Sequence, residues 1–218
     1  MLKPLSKIAA TIALGYSLFN DNINAQDSTK SSSKLDYLKI FKTSQEIDDI
    51  EKALGNAKNY MNAIAYKLDI DNYGVENYYA SFKQIMFNGK DDCDGRAVVG
   101  YSLLYKFHPY IFILSEDYIV MENDSVYRYG EAHAEVFIKE SNMFYIPGIN
   151  ENKGISTKQE LIDLITNSLK DSYKIKWTNY LIGRFEDLDV LLNDKGDIKD
   201  KMRVLEKGEI QTFLNKKD

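Results

Sequence analysis

The hydrophobic spacing of the chain changes at Pro109, and that change constrains the fold more than any other feature. From Cys93 to Phe107 the apolar residues Ala97, Val98, Tyr101, Leu104 and Phe107 recur at helical spacing. Pro109 stops that helix. Beyond it lie the runs Tyr110 to Leu114, Tyr118 to Met121, Ser125 to Tyr129, Ala132 to Lys139 and Met143 to Ile146. They are rich in Tyr, Ile, Val and Phe and are separated by Glu, Asn, Asp and Gly, which reads as strands joined by turns. Connections this short imply an antiparallel sheet.

The flanks read as helical. Ile47, Ile50, Leu54, Ala57, Met61, Ile64 and Leu68 follow helical spacing, with Ser44 as an N-cap and Gly55 as a weak point. The cluster from Tyr78 to Phe87 gives another helix ending at the Asn88-Gly89 turn. Ser156 and Thr157 with Gln159 and Glu160 form a capping-box pattern opening a helix through Leu161, Ile162, Leu164, Ile165 and Leu169. After Trp177 the chain mixes helical periodicity with charge, and Asn193 to Gly196 reads as a turn. There is no internal repeat. The expected class is α+β, with a Cys-bearing helix packed on an antiparallel sheet and helices on either side in sequence. A chain of 218 residues that is 44% hydrophobic suits one domain with a real core.

The N-terminus has the pattern of an export signal. Lys3 and Lys7 supply positive charge, Ile8 to Phe19 is apolar, and Ile23-Asn24-Ala25 precedes a cleavage point at Gln26. The apolar stretch is shorter than the ~20 residues of a membrane span. Residues 26–34 (QDSTKSSSK) read as a flexible linker, leaving 35–218 as the folded domain. The expected protein is therefore exported, secreted or periplasmic, with no stable membrane span after cleavage. Lys and Arg number 28 against 33 Asp and Glu, a net charge of -5 with no basic stripe, which argues against nucleic acid as a partner.

Cys93 is the one cysteine, so no internal disulfide can form. An unpaired thiol in an oxidising compartment is a liability unless it is buried or used. Its setting, Asp91-Asp92-Cys93-Asp94-Gly95-Arg96-Ala97, puts it at a helix start. There the dipole and backbone N–H groups favour thiolate and can hold an oxyanion, while the aspartates oppose thiolate. The two histidines are His108, at the helix end, and His133, on a strand forty residues after the cysteine. By alternation His133, Glu135 and Phe137 share one face, and Ala134, Val136 and Ile138 the other.

These two segments together resemble the transglutaminase-like cysteine protease superfamily. In that group a Cys opens a helix in a segment like G-D-C-D-D-x-A, and a strand of the type H-A-x-x-E-V carries the base. Asp92-Cys93-Asp94 and Ala97 match the first block. His133-Ala134 with Glu135-Val136-Phe137-Ile138 match a shortened form of the second. The resemblance runs from about Asp91 to Gly148 and implies a papain/transglutaminase-like core with Cys93 as nucleophile and His133 as general base. Pairing with His133 would lower the thiol pKa. The next strand offers Pro147 or Gly148 where the family has an Asp. Asn150 is then the candidate that orients His133, with Glu135 and Glu151 as weaker choices.

The function implied is a thiol hydrolase that cleaves amide or peptide bonds through a thioester, with a peptide or protein as substrate. Two alternatives stand beside it: an acyl-transferring cross-linking enzyme, and a catalytically silent module that binds a peptide or partner protein. No cofactor is expected. One Cys and two His make a zinc site of the usual type improbable. Asp69-Ile70-Asp71-Asn72-Tyr73-Gly74 begins like a calcium loop, but Ala80 occupies the place of the closing Glu, so it reads as a turn.

Overall fold

The computed structural model describes residues 37–76, 78–122, 125–149, 154–168 and 177–216. The signal and linker segments expected at 1–34 lie outside these. The described part is mixed α+β with eight helices and a five-stranded antiparallel sheet. In chain order the elements are α1 (Tyr37–Gln45), α2 (Ile50–Ala63), β1 (Ala65–Tyr66), α3 (Asp69–Asn72), α4 (Phe82–Asn88), β2 (Lys90–Asp91) and α5 (Cys93–Leu103). There follow β3 (Tyr110–Glu122), β4 (Ser125–Glu140), β5 (Met143–Tyr145), α6 (Lys158–Ser168), β6 (Asn179–Phe185), α7 (Leu188–Asn193), β7 (Met202–Glu209) and α8 (Ile210–Asn215). Among the described residues no helix is long and apolar enough to cross a membrane.

The sheet order is β5-β4-β3-β6-β7. Alternation along β3 and β4 sends side chains to two separate cores. Ile111, Ala134, Val136 and Ile138 join a core with α1, α2, α4, α5 and α7. Phe112, Leu114 and Phe137 face the other way, into a core completed by Phe144, Leu161, Ile165, Trp177 and Phe213. The sheet is thus covered by helices on both faces, and its strands are apolar on both sides for that reason.

Several expected boundaries move. The four runs between Tyr110 and Lys139 merge into two long paired strands, β3 and β4, in continuous register from Tyr110↔Phe137 to Glu122↔Ser125. Polar residues interrupt the hydrophobic pattern there without interrupting backbone pairing. The segment after Trp177, expected to have helical character, supplies β6 and β7. Tertiary pairing outweighs local periodicity there, since β6 is templated by β3 from Ile111↔Gly183 to Ser115↔Asn179. Ser44 is not an N-cap. It lies in the last turn of α1 and donates to the Phe41 carbonyl, while Asp49 caps α2 by accepting from the Lys52 N–H at 2.8 Å. Gly55 sits in unbroken helix. Thr157 accepts from the Glu160 N–H at 3.2 Å and so opens α6 as the capping pattern implied.

Helix α5 is apolar nearly all round because it is enclosed nearly all round: Ala97 to Leu103 are all buried. It packs across β4 on one side and α2 on another. Gly100 makes this approach possible, since a Cβ there would stand 2.6 Å from Val136 Cγ1 and 2.7 Å from Met61 Sδ. Tyr101, fully buried, solves its polar problem by donating its hydroxyl to the Phe185 carbonyl and accepting from the Phe185 N–H, both at 3.0 Å.

Candidate functional site

Local structure delivers Cys93 to the sheet in three steps. Gly89, with φ 65°, ends α4 in the left-handed conformation and turns the chain. Lys90 and Asp91 then pair in parallel with Ala65 and Tyr66, fixing the strand that enters α5. Asp92 caps the helix by accepting from the Asp94 N–H at 3.2 Å, which makes Cys93 the first helical residue. The thiol is half-buried and points at β4, with Sγ 4.0 Å from the Ala132 carbonyl oxygen. β5 pairs with β4 only at Ile138, Lys139 and Glu140, so the start of α5 meets the stretch of β4 that β5 leaves uncovered.

His133 follows Ala132 on that strand and is buried, 6% exposed. Its register partner is Leu114, which places the imidazole on the sheet face opposite the one α5 covers. Its Nε2 lies 3.5 Å from Glu135 Oε2 and has no hydrogen-bond partner. Helix and strand are apposed as the sequence implied, and no hydrogen bond joins Sγ to the imidazole. Glu135, weighed from sequence as a weaker orienting acceptor, is a carboxylate close to His133. Asn150 and Glu151 lie outside the described residues. His108 is exposed, sits in the left-handed region with φ 53°, and accepts from Arg184 through its carbonyl, so it is part of the turn after α5.

The electrostatics reverse one expectation. The thiol pKa is pushed well above its ordinary value of 9.0, not lowered. Burial is the largest cause, followed by the charges of Asp92 and Asp94, while the Ala134 N–H works in the opposite direction. At the helix start the Asp94 N–H is occupied by the capping carboxylate of Asp92. Burial and the flanking carboxylates thus favour the thiol over the thiolate.

Beneath it lies a feature that sequence reasoning divided into two unrelated parts. Asp69, Asp91, Asp92 and Asp94 each contribute a carboxylate oxygen to a group lying within 4.8 Å of one another. The β1–β2 pairing makes this group, since the Lys67 N–H donates to the Asp91 carbonyl and brings Asp69 alongside. Burial, then the charge of Asp92, pushes Asp69 up to about 8, against the pull of the Tyr78 N–H. Burial likewise raises Asp91 to about 6 although the Tyr73 hydroxyl and Asp92 N–H both donate to it. Asp94 is raised by burial, Asp92 and Asp69. The signal available in the sequence was the pair of Asp-rich segments, 69–71 and 91–94. The first reads as an incomplete loop and the second as helix-dipole charge until non-local pairing joins them.

The arrangement thus sets a thiol at a helix start, an imidazole–carboxylate pair on the adjoining strand, and a largely buried group of four carboxylates close together. Compared with known proteins, the chain matches no family model and no curated relative.

Proposed function

We propose that the chain is a transglutaminase-like thiol hydrolase acting on amide or peptide bonds, with Cys93 as nucleophile, His133 as base and Glu135 orienting the imidazole. The observation that carries this reading is the contact of Cys93 Sγ with Ala132, the residue before His133. It joins the two segments on which the resemblance rests. Because the thiol is favoured over the thiolate, its proton passes to His133 as the sulfur attacks the carbonyl carbon. The imidazolium then protonates the departing amine, leaving a thioester. Water, deprotonated by His133, attacks that thioester and releases the acid and the thiol. For this transfer the imidazole must turn from its own sheet face toward the strand edge that Cys93 meets, since no thiol–imidazole hydrogen bond is present at rest.

A second reading, a silent module that binds a peptide or partner, is favoured by the raised thiol pKa and the lack of a thiol–imidazole hydrogen bond. A peptidyl electrophile that mimics an amide separates the two. Covalent labelling of folded protein at Cys93, slowed strongly by His133→Ala, supports the hydrolase. Equal, slow labelling of both proteins leaves the binding module.

A further inference from the structure

We propose that the free edge of β4 from Val126 to Gly130 binds an extended, basic peptide as an added strand and leads it to Cys93. β6 pairs with β3 only from Ile111 to Ser115, and β5 pairs with β4 only from Ile138 to Glu140. Beyond Ser115, from Glu116↔Glu131 to Glu122↔Ser125, β3 and β4 pair with each other and, among the described residues, with no other strand. A two-stranded ribbon is marginal in water, and a third strand stabilises it. The open edges of the sheet are not alike. At β7 a register shift between Ile182 and Gly183 leaves Leu205 without an opposing residue, and such a bulge guards an outer strand against pairing. The β3–β4 ribbon keeps continuous register and contains no Pro, so its edge is suited to receive another strand.

This edge runs to the thiol. The Ala132 carbonyl and the Ala134 N–H both face Cys93. Backbone groups alternate sides along a strand, so those of Gly130, Arg128 and Val126 face the same side as Ala132. A peptide paired with them arrives with its next residues at Sγ. The charge of that peptide follows from the composition of the ribbon. Residues 116–122 and 125–131 carry Glu116, Asp117, Glu122 and Glu131 against the single Arg128. At the thiol itself the charges of Asp92 and Glu135 have the same sign. Lys or Arg side chains on an added strand therefore meet an excess of carboxylates, and an acidic peptide is repelled. In this mode main-chain pairing supplies affinity, and side chains select the occupant.

The inference rests on the hydrolase reading only for the reaction at Cys93, so binding is measured apart from it, in the full chain carrying Cys93→Ser. The probe is a short peptide of alternating Lys and Val, blocked at both ends and titrated by calorimetry at low and moderate salt. Saturable binding that weakens as salt rises is expected. The same peptide with Glu for Lys should not bind. N-methylation of the Lys peptide at alternate residues removes its strand donors and should weaken binding about tenfold. Gly130→Pro removes a backbone N–H on the open edge while leaving the β3 side paired, and should weaken binding to a similar degree. Glu131→Gln with Asp117→Asn should weaken binding and flatten its salt dependence, and provides the readout if the Pro variant does not fold. Peptide binding in a protein whose Cys93 resists the electrophile supports this inference and removes the hydrolase reading. No saturable binding of the Lys peptide up to millimolar concentration overturns the inference, and overturns it alone if the electrophile still labels wild-type Cys93. Equal binding of the Glu or N-methylated peptide, or full affinity in a folded variant, also overturns it. So does self-association abolished by Gly130→Pro in place of peptide binding, which would give the edge to a second copy.

Discussion

Nε2 of His133 stands 3.5 Å from Oε2 of Glu135, two residues along one face of β4. Strand alternation places the two side chains side by side, His133 buried and Glu135 half-buried. If His133 is the base, His133→Ala should lower turnover of an amide substrate by about 10²–10⁴-fold. Glu135→Gln keeps the shape and removes the charge, so its loss should be smaller. Steady-state rates of the two variants check this, and an unchanged rate for Glu135→Gln removes that residue from the site.

Cys93 provides a separate pH test. Burial and the charges of Asp92 and Asp94 raise its pKa above the ordinary 9.0. The rate of alkylation by iodoacetamide should therefore rise with a midpoint above that of a model thiol, and should be low in mildly acidic buffer. Asp94→Asn removes one of the opposing charges and should move the midpoint down. A wild-type midpoint below that of a free thiol contradicts this account.

The acidic group makes stability depend on pH. Asp69 and Asp91 have folded pKa values of about 8 and about 6, above their unfolded value near 3.8. Between these limits the folded state binds more protons than the unfolded one, so stability falls as pH rises from about 4 to about 8. Tm should drop across that range. Asp69→Asn should flatten the decline, most clearly between pH 6 and 8. A Tm that increases over this range would show that the carboxylates are not held neutral.

Two core substitutions test the seating of α5. Tyr101→Phe removes the hydroxyl that serves both Phe185 backbone groups. It should cost about 1–3 kcal/mol by denaturant unfolding, the penalty of leaving buried polar groups unpaired.

Gly100→Ala places a methyl group 2.6 Å from Val136 Cγ1. It should destabilise by about 1–3 kcal/mol, the range for overpacking a tight contact. Because the shift separates α5 from β4, it should also change the alkylation rate of Cys93. A stable variant with unaltered thiol reactivity would mean that Gly100 does not set the helix–strand distance.

The sequence alone determined the helix that Cys93 opens, the extended region after Pro109, and the face that His133 shares with Glu135 and Phe137. All of these depend on periodicities of 3.6 and 2 that local residues impose. It did not determine that β6 and β7 are strands. Their pairing partners lie far away in the chain, and strand preference follows the neighbours a segment meets. Nor did it reveal how thiol and imidazole are disposed, because the register Leu114↔His133 decides which face the ring takes. The joining of Asp69 to Asp91, Asp92 and Asp94 depends on the parallel pairing of two short strands, β1 and β2. Local sequence shows which residues carry charge. Only the closed chain decides which of those charges are buried together, and burial sets their pKa values.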